Sequence, residues 1–257
     1  MAVFSGGVGG GDAADLSLLA VSLDNRVDWH QRTDGSNVGV LVGISYSVTS
    51  ATLGALTRTA KCNGAVMDSL GVIAWNALSG GGWTEVFGIT DVTPGSRLAV
   101  TASVEGVHDM FGLSLRRQIR GSSLAFTGVD SFGTVTTASG TGTSLSVAGN
   151  ASAASMIAAF FGTKSGLSNA NQTQRYLQNS SAALAISEGR GTGSSYNFTA
   201  SRAQAGPWSA LSVVVNPADS VASVQPLVVA PRISAELVRL PRATGPRRVI
   251  FDVEPED

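Results

Sequence analysis

The sequence predicts an all-β protein built as a two-sheet antiparallel sandwich. Between residues 26 and 216, short runs of alternating apolar and polar residues are separated by Gly, Ser, Thr, Asn or Pro. Successive side chains of a strand point to opposite faces of its sheet, so such runs indicate half-buried strands. Two runs show this best, each with its apolar residues on one parity: Val38, Val40, Val42, Ile44 and Tyr46, then Leu98, Val100, Ala102 and Val104.

The composition is poor in charge and rich in glycine for a chain of 257 residues. Charged residues make up 14% of the chain, against about 25% in typical soluble domains. Ser, Thr, Asn and Gly take the surface positions instead. Such a surface suits polar loops, and it also suits a subunit packed among neighbours, where every buried charge needs a partner. The net charge of −1 creates no long-range field, so neither nucleic acid nor an anionic membrane is expected as the main partner.

Three features bear on the compartment in which the chain is made. Cys62 is the single cysteine, which excludes an intrachain disulfide framework and a zinc site built from several cysteines. The first residues lack the basic and apolar regions of a secretory signal. The longest apolar patch, residues 153–161, is far shorter than the roughly 20 residues of a membrane helix. We therefore expect folding in a cytoplasm, without membrane insertion.

The chain begins with a glycine-rich arm, residues 1–14. Five of these residues are glycine, all between positions 6 and 11. This composition is typical of a flexible segment, and we expect another surface to hold it where it is ordered.

A sandwich domain is predicted over residues 15–216. Asn63-Gly64 and Pro94-Gly95 mark turns, because Gly tolerates positive φ and Pro presets its own φ. Residues 153–161 are apolar on both parities, as in a central strand covered on both faces, although Ala and Met also allow a short helix there. Residues 165–181 are predicted to be a long polar loop. The predicted strands lie near residues 26–31, 38–47, 55–60, 64–76, 84–90, 96–105, 110–120, 122–129, 133–138, 143–148, 154–162, 182–188, 194–200 and 208–215.

The composition changes after a linker at residues 217–226. Residues 227–257 hold ten charged residues in 31, whereas the preceding 226 residues hold the other 25. Five prolines between positions 226 and 255 prevent regular helix. A solvated tail has no need of apolar clusters, so we expect an extended arm that docks on a partner by adding edge strands. The alternative is a strand or two folding back on the chain's own sandwich. The predicted partner-binding residues are Leu227, Val228, Val229, Ile233, Leu237, Val238, Val249, Ile250 and Phe251.

Chemistry-bearing residues are sparse, and the sequence predicts no catalytic, cofactor-binding or metal-binding residue. His30 and His108 are the two histidines; a Ser–His–Asp triad is formally possible, but no G-x-S-x-G or H-E-x-x-H motif accompanies them. A calcium site at Asp24, Asn25 and Asp28 lacks the EF-hand spacing. The acids that a glycoside hydrolase would need show no favourable spacing: Glu85, Glu105, Asp109 and Asp130.

The tryptophans invite two interpretations, core packing or stacking on sugar rings. Trp83 begins an apolar run with Phe87 and Ile89, and Trp208 opens the closing strand, so both are predicted to lie in the core. Trp75 is left open between the two, which makes it the candidate glycan-binding residue.

Six segments, taken in order, carry a resemblance to a known class of proteins. They are Asn37-Val-Gly-Val-Leu-Val-Gly-Ile-Ser-Tyr46, Cys62-Asn-Gly-Ala-Val-Met-Asp-Ser-Leu70, Trp83-Thr-Glu-Val-Phe-Gly-Ile89, Pro94-Gly-Ser-Arg-Leu-Ala-Val-Thr101, Ser123-Leu-Ala-Phe-Thr-Gly-Val-Asp130 and Trp208-Ser-Ala-Leu-Ser-Val-Val-Val215. These segments resemble minor tail or virion structural proteins of tailed phages that infect actinobacteria. The resemblance spans about residues 26–216 and implies a jelly-roll-like sandwich within a virion, with no catalytic residues to carry over.

Together these observations favour a non-enzymatic structural subunit of a phage virion, a minor tail protein that assembles through its terminal arms. The expected partners are other virion proteins and copies of itself, and host surface glycans are a further possibility. The alternatives are a carbohydrate-binding module for host-envelope glycans and a capsid-surface decoration protein. A hydrolase would need a histidine close to a Ser or an acid in a cleft. No cofactor is expected, and the predicted location is the virion, after synthesis in the host cytoplasm.

Overall fold

The computed structural model describes residues 4–14, 25–48, 56–76, 82–105, 117–179 and 182–218, and these residues form strands and turns without a helix. They belong to a unit spanning residues 1–220; a second unit, residues 221–257, lies wholly outside the described residues. The strands are β1 (Phe4–Ala14), β2 (Asn25–Thr33), β3 (Val38–Val48), β4 (Thr57–Cys62), β5 (Ala65–Val66), β6 (Asp68–Asn76), β7 (Gly82–Val92), β8 (Gly95–Glu105), β9 (Arg117–Thr127), β10 (Val129–Asn150), β11 (Met156–Thr163), β12 (Leu167–Ala170), β13 (Thr173–Gln178), β14 (Ala183–Arg190) and β15 (Ser195–Pro217).

The described strands form three sheets, and all of their pairings are antiparallel. The central sheet has the order β1-β9-β3-β7-β6. The outer sheet has the order β2-β8-β4-β5, and the long sheet has the order β10-β15-β11-β14-β13 with β12 added beside β15. The predicted all-β antiparallel class is confirmed, with three sheets in place of the two expected. The jelly-roll connectivity stays a prediction.

The outer sheet packs on one face of the central sheet. In β3, Val40, Val42, Ile44 and Tyr46 point into this first core, where Val100 and its apolar neighbours on β8 meet them. The opposite parity of β8 lies on the solvent side of the outer sheet. The half-buried alternation predicted from the sequence is therefore confirmed in β8, whereas β3 is buried on both parities from Val38 to Tyr46.

The long sheet packs on the other face of the central sheet. On this face β3 presents small residues, and a Cβ added to Gly43 would overlap the ring of Phe160 in β11. Leu41 and Val86 of the central sheet meet Leu211 of β15 in the same second core. Since both of its faces are covered, the central sheet is the middle one of the three described sheets.

Two very long strands, β10 and β15, are separated in the chain by β11–β14 but pair antiparallel as a two-stranded ribbon. The distal part of this ribbon covers the far face of the long sheet. Their ladder is regular from Val135 to Gly142 and shifts register between Gly142 and Ser144. Beyond the shift, Val147 and Phe198 pack with Ile157 in a third core. The sequence predicts two short strands in place of each of these, because glycines around the register shift look like turn signals.

Other local predictions meet mixed outcomes. Residues 156–163 form a fully buried strand, as the preferred interpretation of that apolar run requires. Asn63 and Gly64 have positive φ of 49° and 85° and form the two-residue turn between β4 and β5. The predicted loop at 165–181 instead contains β12 and β13. Residues 117–127 form one strand, β9, through the break predicted at residue 121, whereas residues 110–116 of the first predicted strand lie outside the described residues.

The glycine-rich N-terminal segment is a strand rather than a free arm. Residues 4–14 form β1, which pairs with β9 along the edge of the central sheet, with a register irregularity between Ser5 and Val8. Glycine has no side chain to obstruct an extended backbone, so composition alone did not exclude this outcome. No helix in the described part of the chain is long and apolar enough to cross a membrane.

Candidate functional site

The nine apolar tail residues predicted to bind a partner, between Leu227 and Phe251, all lie outside the described residues. Their role stays a prediction.

Trp75, the candidate glycan-binding residue, lies near the end of β6 and is only 4% exposed. Its ring packs so closely on Gly82 that a Cβ there would overlap it. The indole Nε1 has no hydrogen-bond partner among the described residues. A ring enclosed in this way has no open face for a sugar to stack on. Trp83 and Trp208 are 4% and 9% exposed, as the core interpretation requires.

The residues considered for catalysis or metal binding do not converge. His30 lies on the solvent side of β2, opposite Ala99 of β8, whereas His108 and Asp24 are outside the described residues. Asp28 accepts a hydrogen bond from its neighbour Arg26 at 2.8 Å on the exposed face. Within the described ranges, no group of three or more His, Cys, Asp or Glu could hold a metal ion.

The most concentrated polar chemistry is a cluster around Glu85, between the central and outer sheets. Glu85 is 1% exposed and shares its face of β7 with Trp83 and Phe87. Its carboxylate accepts a hydrogen bond from Ser69 Oγ at 2.8 Å and from Arg58 Nη1 at 3.3 Å. Tyr46 stacks on Trp83 beside it, with ring centroids 5.6 Å apart. Four elements, β3, β4, β6 and β7, therefore supply this Glu85 cluster.

Burial dominates the electrostatics of the Glu85 cluster. It raises the pKa of the Glu85 carboxyl above the ordinary 4.5, although Ser69 and Arg58 pull in the opposite direction. Burial, followed by the nearby Glu85 charge, also raises the pKa of the Tyr46 phenol far above its ordinary 10.0. The charged form of each group loses hydration that its neighbours only partly replace. The cluster is thus a buried carboxylate in a partly compensated ion pair with Arg58, whose side chain is 23% exposed.

A second buried polar chain links the same two sheets. Trp29 Nε1 donates to Ser123 Oγ at 2.7 Å, and that hydroxyl donates to Gln31 Oε1 at 2.6 Å. The Gln31 amide then donates to the carbonyl of Arg32 at 2.7 Å. The acceptors at the centre of the two groupings, Glu85 and Gln31, are buried, and their hydrogen bonds link the two sheets, although Ser69 of the Glu85 cluster is exposed.

Two shallow depressions open to solvent. The first, about 320 Å³, lies on the solvent side of the outer sheet; its lining residues are Arg26, Thr59, Lys61, Gly64, Ala99, Thr101, Ser103 and Glu105. The second, about 370 Å³, lies where the distal part of the β10–β15 ribbon meets β12; its lining residues are Ser144, Ala170, Asn171, Thr199, Ala200 and Ser201. The first combines hydroxyl groups with the charged side chains of Arg26, Lys61 and Glu105. The second is uncharged, and its hydroxyl groups and the Asn171 amide suit hydrogen bonding to a neutral polar ligand.

Beside the second depression is an exposed aromatic residue that sequence reasoning missed. Tyr196, in β15, is 37% exposed and meets Phe198 edge to face, with ring centroids 5.1 Å apart. Gln172 Nε2 donates to the Tyr196 hydroxyl at 3.4 Å and to the carbonyl of Asn197 at 3.1 Å. The signal in the sequence was an aromatic residue just after the Gly-rich turn at residues 189–194.

Sequence reasoning also gave Glu85 no more weight than the other acids. Its position was informative nevertheless, because it shares the parity of Trp83 and Phe87 in an otherwise apolar run. An acid on the buried parity of a strand predicts an internal partner, and here that partner is Arg58.

No protein-family model matches this chain, and no significant match was found among curated proteins or solved structures.

Proposed function

We propose that the chain is a non-enzymatic structural subunit of a phage particle, a minor tail protein attached to its neighbours through residues 227–257. The observation that carries this proposal is where the phage-like segments lie. Residues 37–46, 83–89 and 208–215 coincide with β3, β7 and β15, which supply the buried layers of the molecule. The resemblance is therefore to a scaffold, and a scaffold is what a tail subunit contributes.

The polar chemistry of the described residues supports the same proposal. A reaction centre needs groups that a substrate can reach. Glu85 and Gln31 are 1% and 0% exposed, and their partners complete hydrogen-bonded links between sheets. Hydrogen-bonded networks of this kind hold the sheets in one relative position, a property that a structural subunit requires.

The proposal assigns attachment to the C-terminal segment alone. β1 already pairs with β9 of its own chain, so the N-terminal segment is occupied within the subunit. The apolar clusters of residues 227–257 are separated by prolines, which favour an extended chain. Burying one Val, Leu, Ile or Phe side chain on a neighbour contributes about 1.5–3 kcal/mol, so even a few of them give stable attachment.

The test is incorporation into particles. Virions are purified on density gradients from cells in which the phage gene encodes either the full chain or a chain lacking residues 227–257, and the subunit is quantified by mass spectrometry. We expect the full chain in particles, and the truncated chain folded and soluble but absent from them. A triple substitution of Val249, Ile250 and Phe251 by Ser should reduce incorporation, whereas Asp252→Asn with Glu254→Gln should not. Normal incorporation of the truncated chain would contradict the proposal.

Glycan recognition is a second candidate function, favoured by the surroundings of Tyr196. An exposed ring next to amide side chains is the arrangement that binds sugars, because the ring stacks on the C–H face and the amides pair with hydroxyls. Tyr196 has Gln172 and Asn171 nearby. The experiment is glycan-array binding: Tyr196→Ala should abolish it, and Tyr196→Trp should retain it. The exposed position Lys164 provides a control, Lys164→Ala, and equal binding by all variants would exclude this site.

A further inference from the structure

The edge of the long sheet is an unusual strand. β10 runs for 22 residues and is the last strand of the sheet, bonded to β15 on one side. From Ser131 to Asn150 it contains no Asp, Glu, Lys, Arg, His or Pro. Among the described residues, no strand pairs with its other side. With respect to the described strands, its outward N–H and C=O groups therefore form an open ladder.

Edge strands are normally protected against pairing with other chains. Charged side chains, prolines, bulges and short length are the usual devices. Three of the other edge strands in the described sheets use them: β2 carries Arg26, Asp28 and Arg32, β5 has two residues, and β13 has Arg175 and a register irregularity. β10 has irregularities near its start and at Gly142, but the eight residues Val135–Gly142 pair regularly with β15. This stretch is regular and contains no charged residue and no proline. Its only protection is the register irregularity at each of its ends.

We propose that β10 pairs antiparallel with β10 of a second copy of this chain, joining the two long sheets across a two-fold axis. The partner is a second copy because the edge offers no charge for a complementary partner to recognise, and an uncharged strand meets no repulsion from its own copy. A two-fold axis perpendicular to the sheet places each residue opposite one of the same parity. Centred on Ser139, it sets Thr137 of one copy opposite Thr141 of the other.

The side chains at this edge suit such pairing. Thr137, Ser139 and Thr141 are exposed on one parity, and cross-strand pairs of Thr and Ser are favourable in antiparallel sheets. Near the start of the strand, Phe132 and Val135 are only partly buried against the second core. A second copy laid along the edge would cover them further, which adds apolar burial to the backbone hydrogen bonds. This interface uses none of residues 227–257 and is independent of the proposed attachment through them.

The test is a charge exchange at Thr137 and Thr141. In the proposed register, Thr137→Lys with Thr141→Lys places two pairs of like charges across the interface, and so does Thr137→Asp with Thr141→Asp. We expect sedimentation velocity to show dimers for the unaltered chain and monomers for each double variant. An equimolar mixture of the Lys and Asp variants should return to dimers, because each Lys then faces an Asp.

Two controls separate this result from general effects of charge or misfolding. Ala153→Lys with Ala154→Lys adds the same charge at exposed turn positions and should remain dimeric. Each variant should keep the near-ultraviolet circular dichroism of the unaltered chain. Under oxidation, Ser139→Cys should give covalent dimers, whereas Ala153→Cys should not.

Several outcomes would overturn the proposal. The unaltered chain could remain monomeric over the whole concentration series, or the Lys variant could remain dimeric. Removal of residues 219–257 could dissociate the dimer while the Lys substitutions do not, which would place the interface in the C-terminal segment. Failure of the Lys and Asp variants to pair in the mixture would reject the register centred on Ser139 and the identical-strand interface with it.

Discussion

Phe160 of β11 lies directly over Gly43 of β3, with its ring in the space that a Cβ of residue 43 would occupy. Both residues are in the interface between the central and long sheets, where Phe160 is 0% exposed. Gly162 of β11 is close to Thr84 and Ser45 of the central sheet in a similar way. The hydroxyl groups of Thr84 and Ser209 form a hydrogen bond of 2.7 Å across the same interface. Small residues therefore set the separation of these two sheets.

Replacing Gly43 by Ala is expected to destabilise the protein. The new methyl group would force the Phe160 ring or the sheets apart, and overpacking of this kind costs about 1–3 kcal/mol in a well-packed core. The free energy of unfolding from urea denaturation measures it. Gly189→Ala is the matched control, because its Cβ would be 3.3 Å from its nearest neighbour, the Phe198 ring, which is at the limit of ordinary contact.

The pair can also be tested for direct coupling. Phe160→Leu removes the ring and should cost stability alone, but the double variant Gly43→Ala with Phe160→Leu should lose less than the sum of the two. Strict additivity would show that the two side-chain positions do not share the space that the structure assigns to them.

The strand β3 shows how far the sequence could predict this fold. Its alternating apolar residues predicted one buried face correctly. Three residues of the other parity, Gly39, Gly43 and Ser45, have the composition of a solvated face, yet they are buried beneath the long sheet together with Leu41. Close approach between sheets selects small residues, and a single sequence does not distinguish them from surface positions.

The sequence predicted neither the long ribbon of β10 and β15 nor the exposure of the candidate site residues, and the reasons are related. Gly142 marks a register shift within a continuing ladder, not the end of a strand, and only the partner strand reveals the difference. Trp75 and Tyr196 differ in exposure because of the residues packed against each ring. The continuing ladder and the exposure of the two rings both depend on tertiary packing, which the local composition of the sequence does not reveal.

Ser123→Ala is expected to break the buried chain between Trp29 and Gln31. Ser123 Oγ accepts from Trp29 Nε1 and donates to Gln31 Oε1, so its loss leaves two enclosed polar atoms without this partner. An unsatisfied buried donor or acceptor costs about 1–3 kcal/mol. Ser195→Ala, at an exposed position, should change the free energy of unfolding by less than about 0.5 kcal/mol. Equal, small effects of both substitutions on the free energy of unfolding would mean that the hydrogen bonds joining Trp29, Ser123 and Gln31 add no stability.

Glu85→Gln is expected to change the pH dependence of stability. Because the folded state raises the pKa of Glu85 above 4.5, the folded protein binds this proton more tightly than the unfolded chain. The Glu85 contribution therefore becomes more favourable as pH falls through the folded pKa towards 4.5, and less favourable as pH rises through the same range. Gln cannot titrate, so the variant should lack this slope.

The measurement is the free energy of unfolding of both proteins at closely spaced pH values through the weakly acidic range. As pH falls, the free energy of unfolding of the unaltered protein should increase relative to that of the Glu85→Gln variant. Asp130→Asn, at an exposed position, is the control for general loss of an acid. Parallel curves for the unaltered protein and Glu85→Gln would contradict the raised pKa.

Cys62 is expected to report opening of the first core. The thiol is 2% exposed among the apolar residues between the outer and central sheets, and burial raises its pKa. Thiolate is the reactive form, so both its scarcity and its enclosure slow modification. In the folded protein, reaction with a disulfide reagent must wait for local or global opening.

The comparison is with an exposed thiol in the same fold. In a Cys62→Ser background, Ala153→Cys supplies one at an exposed turn. We expect Cys62 to react at least about 10³-fold more slowly than this thiol, given folding equilibrium constants of about 10³ or more, and the ratio to vanish in denaturant. Cys62 follows Lys61 at the end of β4, next to the two-residue β5, so a ratio of only about 10 would locate the opening in this short hairpin. Equal rates in the folded protein would contradict the burial of the thiol itself.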